Sequence, residues 1–168
     1  MPFRVIDTSS VILLKEIPRV VRPRIVAQLD GLVDSEILIY PAEVLGELER
    51  FAGKPDEPLD WARRNEAKAC RFGPLYEGAK RVLGRVPNLI DPEKVAVGGL
   101  DVADPYVVAL GVLLKEAREE VVIVTDDTRQ KPRKTSLSDA AGLFGIPSIT
   151  FRTFLIYEQN IWDGVEGT

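Results

Sequence analysis

Val121-Val122-Ile123-Val124-Thr125-Asp126-Asp127 is the stretch on which the fold turns. Four consecutive β-branched apolar residues are what a strand covered on both faces requires, and such strands belong to parallel sheets. A second strand-like run, Phe3-Arg4-Val5-Ile6, also ends in a carboxylate, Asp7, followed by Thr8-Ser9-Ser10. In a parallel sheet all C-terminal strand ends lie on one rim, which is where open α/β folds hold their ligands. Two strands that end in acids therefore bring carboxylates to the same side of the molecule.

Outward from these strands, apolar periodicity alternates between the two kinds of element. Ser9 or Ser10 is placed to cap a short helix through Leu14, ended by Pro18. Val21, Ile25, Leu29 and Leu32 predict a helix over 19–32, and Ile37–Tyr40 reads as a strand. Pro41 opens a helix through Phe51, and 53–58 is a loop. Helices are expected over 59–72, 74–83 and 103–119, with a bend at Gly98-Gly99. Ser136-Leu137-Ser138-Asp139 resembles a capping box before a helix through Phe144. An edge strand over 147–151 and a closing helix over 152–160 complete the chain. No hairpin signal joins neighbouring strands. The reading is one domain, 1–168, an α/β fold of three α/β/α layers around a central parallel sheet, with a helical excursion at about 59–99.

Composition narrows the chemistry. The 168 residues contain no histidine and one cysteine, Cys70. Ser-His-Asp and Cys-His catalysis, histidine-based RNA cleavage, thiolate clusters and nearly all catalytic zinc sites are thereby removed. Carboxylates remain, and their hard oxygens favour Mg²⁺ or Mn²⁺. The net charge of −4 gives no support to passive nucleic-acid binding, but metal ions reverse the sign of an acidic pocket. The N-terminal residues lack a signal-peptide pattern, and no window approaches an apolar run of about 18 residues. A cytoplasmic protein without a membrane span is expected, with Cys70 as a small core residue.

Each candidate acid has an ordinary explanation. Glu47 lies about 40° around its helix from Phe51, beside the apolar stripe of Val44, Leu48 and Phe51, where a boundary glutamate can reach water. Asp104 precedes Pro105 at a helix start, a preferred capping arrangement. Asp101, Asp104, Val108 and Gly111 nevertheless share one stripe, so Asp104 stands at the top of the inward face. Asp126 and Asp127 suit a turn, and alternation lets at most one of them point into a site above Thr125. Three or four acids gathered on one rim would repel strongly, and such a group makes sense mainly as a divalent-cation site.

VIDTSSVI (5–12), PAEVLGELERF (41–51), DVADPYVVALG (101–111) and VVIVTDD (121–127) stand in that order. Together they resemble the PIN-domain ribonucleases, most closely the VapC-type toxins of toxin–antitoxin pairs. Within these the likeness is to a longer group carrying a tryptophan-bearing helix where Trp61 stands, and it extends from Phe3 to about Phe154. The resemblance assigns the catalytic and metal-binding acids to Asp7, Glu47, Asp104 and Asp127, with Asp126 as the intervening residue. It gives the orienting hydroxyls to Thr8 or Ser9 and to Thr125; Asp101 stands beside that set. It implies Mg²⁺ or Mn²⁺, and cleavage of single-stranded or looped RNA to 5′-phosphate and 3′-hydroxyl ends. It also implies a small antitoxin partner and a homodimer. The extra helices, Gly111 in place of alanine, and the added acid Asp126 depart from the compact pattern.

Arg129, Lys131, Arg133 and Lys134 follow the last acid closely, either as a rim that grips RNA phosphates or as a solvated basic loop. Lys54 is a lesser candidate of the same kind. Besides the ribonuclease, the sequence admits a non-catalytic PIN-like protein that binds RNA or a partner. An aspartyl-phosphate mechanism at Asp7 fits less well, because Ser9 stands where a second aspartate is wanted. No phosphate-binding Gly-x-x-x-x-Gly-Lys-Ser/Thr loop is present either.

Overall fold

A computed structural model describes residues 2–50, 53, 56–91 and 102–158. Phe51, Lys54, the Gly98-Gly99 bend, Asp101 and the end of the closing helix lie outside these described residues. Strand β1 (Phe3–Ile6) is flanked by β2 (Leu38–Ile39) and β3 (Val121–Val124), with β4 (Ser148–Ile149) beyond β3. All three pairings are parallel, in the order β2-β1-β3-β4. The expected α/β architecture is present as a three-layer α/β/α arrangement. Val5, Leu38, Ile39, Ile123 and Val124 have no exposed surface, as strands covered on both faces require.

The helices are α1 (Thr8–Val11), α2 (Arg22–Asp34), α3 (Ala42–Arg50), α4 (Glu57–Ala69), α5 (Tyr76–Arg85), α6 (Asp104–Glu116), α7 (Leu137–Leu143) and α8 (Phe151–Thr153). A 3₁₀ turn, Ile12–Glu16, extends α1, and a π-helical turn, Phe154–Glu158, follows α8. Helices α2 and α4 pack on each other and on β2, whereas α6 packs on β1 and β3 with α5 and α7 at its sides. The excursion after β2 is therefore divided, α4 staying with the β2 flank and α5 joining α6. Tyr40 anchors α4: its hydroxyl donates to the Ala62 carbonyl at 2.5 Å and its ring packs on Trp61.

The chain leaves β1 towards β2 and leaves β3 towards β4, in opposite directions from two adjacent strands. That reversal is a topological switch point, and ligands in doubly wound sheets bind at the C-terminal strand ends beside it. Asp7 follows β1 and Thr125 follows β3, so both stand at the switch point.

Three local expectations are corrected. Neither Ser9 nor Ser10 caps α1; Asp7 does, its carboxylate accepting from Thr8 N at 2.7 Å, because the helix starts directly off the strand. Asp104 is the first residue of α6 rather than its cap, which is Ala103. Helix α6 stops at Glu116, not 119, where Arg118 turns to φ 64°, a left-handed residue that reverses the chain into β3. Ser136 does cap α7, accepting from Asp139 N at 3.1 Å.

Candidate metal centre

Asp7 is the hub. Its backbone N–H donates to Val124 O at 2.9 Å, extending the sheet by one bond beyond Ile6. Its Oδ1 takes the Thr8 N–H, and its Oδ2 accepts from Ser9 Oγ at 2.7 Å and from Thr125 Oγ1 at 2.9 Å. Ser9 Oγ in turn accepts the Asp126 N–H at 3.0 Å, and Thr125 Oγ1 accepts the Asp127 N–H at 3.1 Å. Each hydroxyl thus takes a backbone proton from the loop after β3 and gives its own to Asp7, locking the two strand ends together. Thr8 Oγ1 ties in α3, donating to Glu47 Oε1 at 2.7 Å.

The buried Asp7 and Asp104 and the half-buried Glu47 each offer an oxygen, and these three oxygens lie within 4.8 Å of one another. Two ligands of one Mg²⁺ are at most about 4.2 Å apart, given bonds of about 2.0–2.1 Å. Only opposite ligands in an octahedral shell stand that far apart, and adjacent ones about 3 Å, so binding one ion would draw the three carboxylates closer together. The donor set is all carboxylate oxygen, without nitrogen or sulfur, and such hard donors suit hard divalent cations.

The electrostatics follow from burial and crowding. Desolvation, then the Asp104 and Glu47 charges, push the Asp7 carboxyl up to about 7, against the lowering effect of Ser9 and Thr125. Desolvation also raises Glu47, opposed by the Thr8 hydrogen bond. An acid held so far above its ordinary range favours any cation that replaces its proton. Cys70 is no nucleophile: burial, with Glu66 and Glu43, pushes its thiol up to about 12.

The two acids after β3 separate. Asp126 turns away, its Oδ2 accepting from Ser10 Oγ at 2.5 Å and from Phe151 N at 3.2 Å. It ties α1 to the start of α8 and is not brought into the carboxylate group. Asp127 faces the group but stands outside the three-oxygen set; its Oδ2 accepts from Leu137 N at 3.1 Å and Lys134 Nζ at 2.7 Å. Lys134 Nζ also lies 3.0 Å from Asp104 Oδ2. Of the four basic residues expected on a rim, Lys134 is therefore inside the acidic site, while Arg129, Lys131 and Arg133 are exposed on the loop. The repulsion expected among these acids is relieved in part by Lys134, seven residues beyond Asp127 and brought in by a tight turn. Ser10, expected as a possible helix cap, instead holds Asp126.

The chain matches no family model, no curated protein and no solved structure. Among the described residues no helix is long and apolar enough to cross a membrane.

Proposed function

We propose that this protein is a PIN-type, Mg²⁺- or Mn²⁺-dependent endoribonuclease acting in the cytoplasm as the toxin of a toxin–antitoxin pair. The observation that carries the reading is the convergence of Asp7, Glu47 and Asp104 at the switch point of a parallel sheet, with hydroxyls spent on orienting them. Asp7, Glu47 and Asp104 would hold the ion, with Asp127 at its side. When bound, the ion supplies Lewis-acid charge at a phosphodiester and lowers the pKa of a water. Thr8, Ser9 and Thr125 keep the carboxylates in place, so little reorganisation is needed on binding. In the overall reaction water oxygen joins phosphorus and the P–O3′ bond breaks. The water proton passes to the 3′ oxygen, leaving 5′-phosphate and 3′-hydroxyl ends. Exposed Arg129, Lys131 and Arg133 border the site and suit the flanking phosphates.

The test is cleavage of single-stranded RNA with Mg²⁺, Mn²⁺ or a chelator, for the native chain and Asp7→Asn. Metal-dependent cleavage lost in the variant supports the reading; metal-independent or undiminished cleavage removes it. One observation favours a second reading, a PIN-like protein that binds RNA or a partner without cutting. Lys134 already balances part of the acidic charge, as a site that never takes up metal requires. RNA retained but uncleaved under every divalent ion is its signature.

A further inference from the structure

We infer that the Lys134 ammonium takes the place of a second metal ion, so that the centre works with one divalent cation and one built-in lysine. The inference rests on the metal-dependent nuclease reading. Asp104 carries it: this carboxylate contributes to the three-oxygen group with Asp7 and Glu47, and its Oδ2 lies 3.0 Å from Lys134 Nζ. One carboxylate shared between two cation positions is the arrangement that two-metal phosphodiesterases build with a bridging acid, their ions about 3.5–4 Å apart. Here the second position is filled by nitrogen, and Asp127, 2.7 Å from Nζ, holds it there instead of a metal.

The lysine is positioned, not trailing. Lys131 and Lys134 exchange two backbone hydrogen bonds of 3.2 Å across Pro132-Arg133, a tight turn. Thr135 N donates to Asn88 O at 2.8 Å, and Ser136 then caps α7. The side chain is only 18% exposed. An ammonium has three N–H groups. Two serve Asp104 and Asp127, and among the described residues the third meets the Thr135 carbonyl at 3.5 Å, a long contact that it can give up for a phosphate oxygen. Fixed positive charge aimed at a phosphoryl oxygen stabilises the charge that develops there during in-line displacement. A second divalent ion on the same carboxylates would face this ammonium at contact range, and like charges exclude each other.

Mn²⁺ binding to the protein, counted by calorimetry and by electron paramagnetic resonance, is compared with cleavage of a fluorescent single-stranded oligoribonucleotide. The native chain should bind one Mn²⁺. Lys134→Met should keep that ion with affinity equal or tighter, yet lose about a hundredfold in kcat, with a much smaller change in KM. Lys134→Arg, which keeps the charge, should fold and retain most of the rate. Two spin-coupled ions in the native chain overturn the inference, as does a Lys134→Met enzyme of native kcat. Loss of the first ion in Lys134→Met also overturns it, since the lysine would then only support Asp104. No Mn²⁺ in any variant withdraws the nuclease reading itself, and this inference with it.

Discussion

Thr125 Oγ1 donates to Asp7 Oδ2 at 2.9 Å, joining residues 118 apart in sequence at the ends of adjacent parallel strands. Thr125 has no exposed surface and Asp7 almost none. A buried carboxylate with three donors is well hydrogen-bonded, yet two neighbouring acids and lost hydration keep it reluctant to ionise. The metal-free protein therefore stores an electrostatic cost at this junction.

That cost sets the pH dependence of stability without metal. The Asp7 carboxyl is raised from 3.8 in the unfolded chain to about 7 in the folded one. Between these values the folded state keeps a proton that the unfolded state has released. Stability is thus highest below about pH 4 as far as Asp7 is concerned, falls as pH rises towards 7, and levels off above. Urea unfolding in chelator should show a loss of a few kcal/mol across this window. Asp7→Asn should flatten the slope and be more stable than the native chain at pH 8. A variant with the native slope would show that Asp7 is not the titrating group.

Metal binding should run the opposite way. An ion must displace the Asp7 proton, so Mn²⁺ affinity should rise about tenfold per pH unit below 7 and level off beyond it. Saturating Mn²⁺ should consequently raise Tm more at pH 8 than at pH 5.5. Calorimetry in two buffers of different ionisation heat reads the released proton directly; binding without proton release at pH 6 would contradict this picture.

Asp126 and Asp127 are neighbours with different tasks. Asp126→Ala leaves Ser10 and the Phe151 N–H without their acceptor and should cost about 1–3 kcal/mol, with Mn²⁺ affinity within a few-fold of native. Asp127→Ala instead leaves Lys134 held by Asp104 alone and should lower cleavage far more than stability. Reversed phenotypes, read by urea unfolding and RNA cleavage, would mean that the two carboxylates have been assigned the wrong way round.

Gly111 tests the packing of α6 on the sheet. A Cβ there would stand 2.9 Å from Ile146 Cδ1 and 3.4 Å from Ile123 Cδ1. Alanine gains about 1 kcal/mol in helix propensity, while overpacking a full core costs about 1–3 kcal/mol. Because the obstructing atoms are the ends of isoleucine side chains that can shift, Gly111→Ala should be destabilised by only about 1 kcal/mol. Cleavage should survive, since Gly111 lies two turns below Asp104. Unfolding midpoints decide it: a gain in stability would place free space under α6.

The strands that end in acids were legible because strand burial leaves a period and a composition, and because polar residues at strand ends are forced to one rim of a parallel sheet. Asp7, Glu47 and Asp104 could be read from those patterns, each beside an apolar stripe whose direction local geometry dictates. The start of α1 at Thr8 was not legible, since Asp7, Ser9 and Ser10 are all acceptable caps and only the strand's exit direction chooses among them. The parting of Asp126 from Asp127 was equally hidden: it depends on Ser10 and on the start of α8, which adjacency in sequence does not bring together. Lys134 reads in sequence as one of four cations, on a phosphate-gripping rim or a solvated loop. Its entry into the acidic site needed the Lys131–Lys134 turn and the Asn88 carbonyl to aim it. Local pattern encodes which residues are polar, buried and periodic. Which of them meet is set by long-range packing, because hydrogen bonds and ion pairs act over about 3 Å and carry no trace of the loops that deliver their partners.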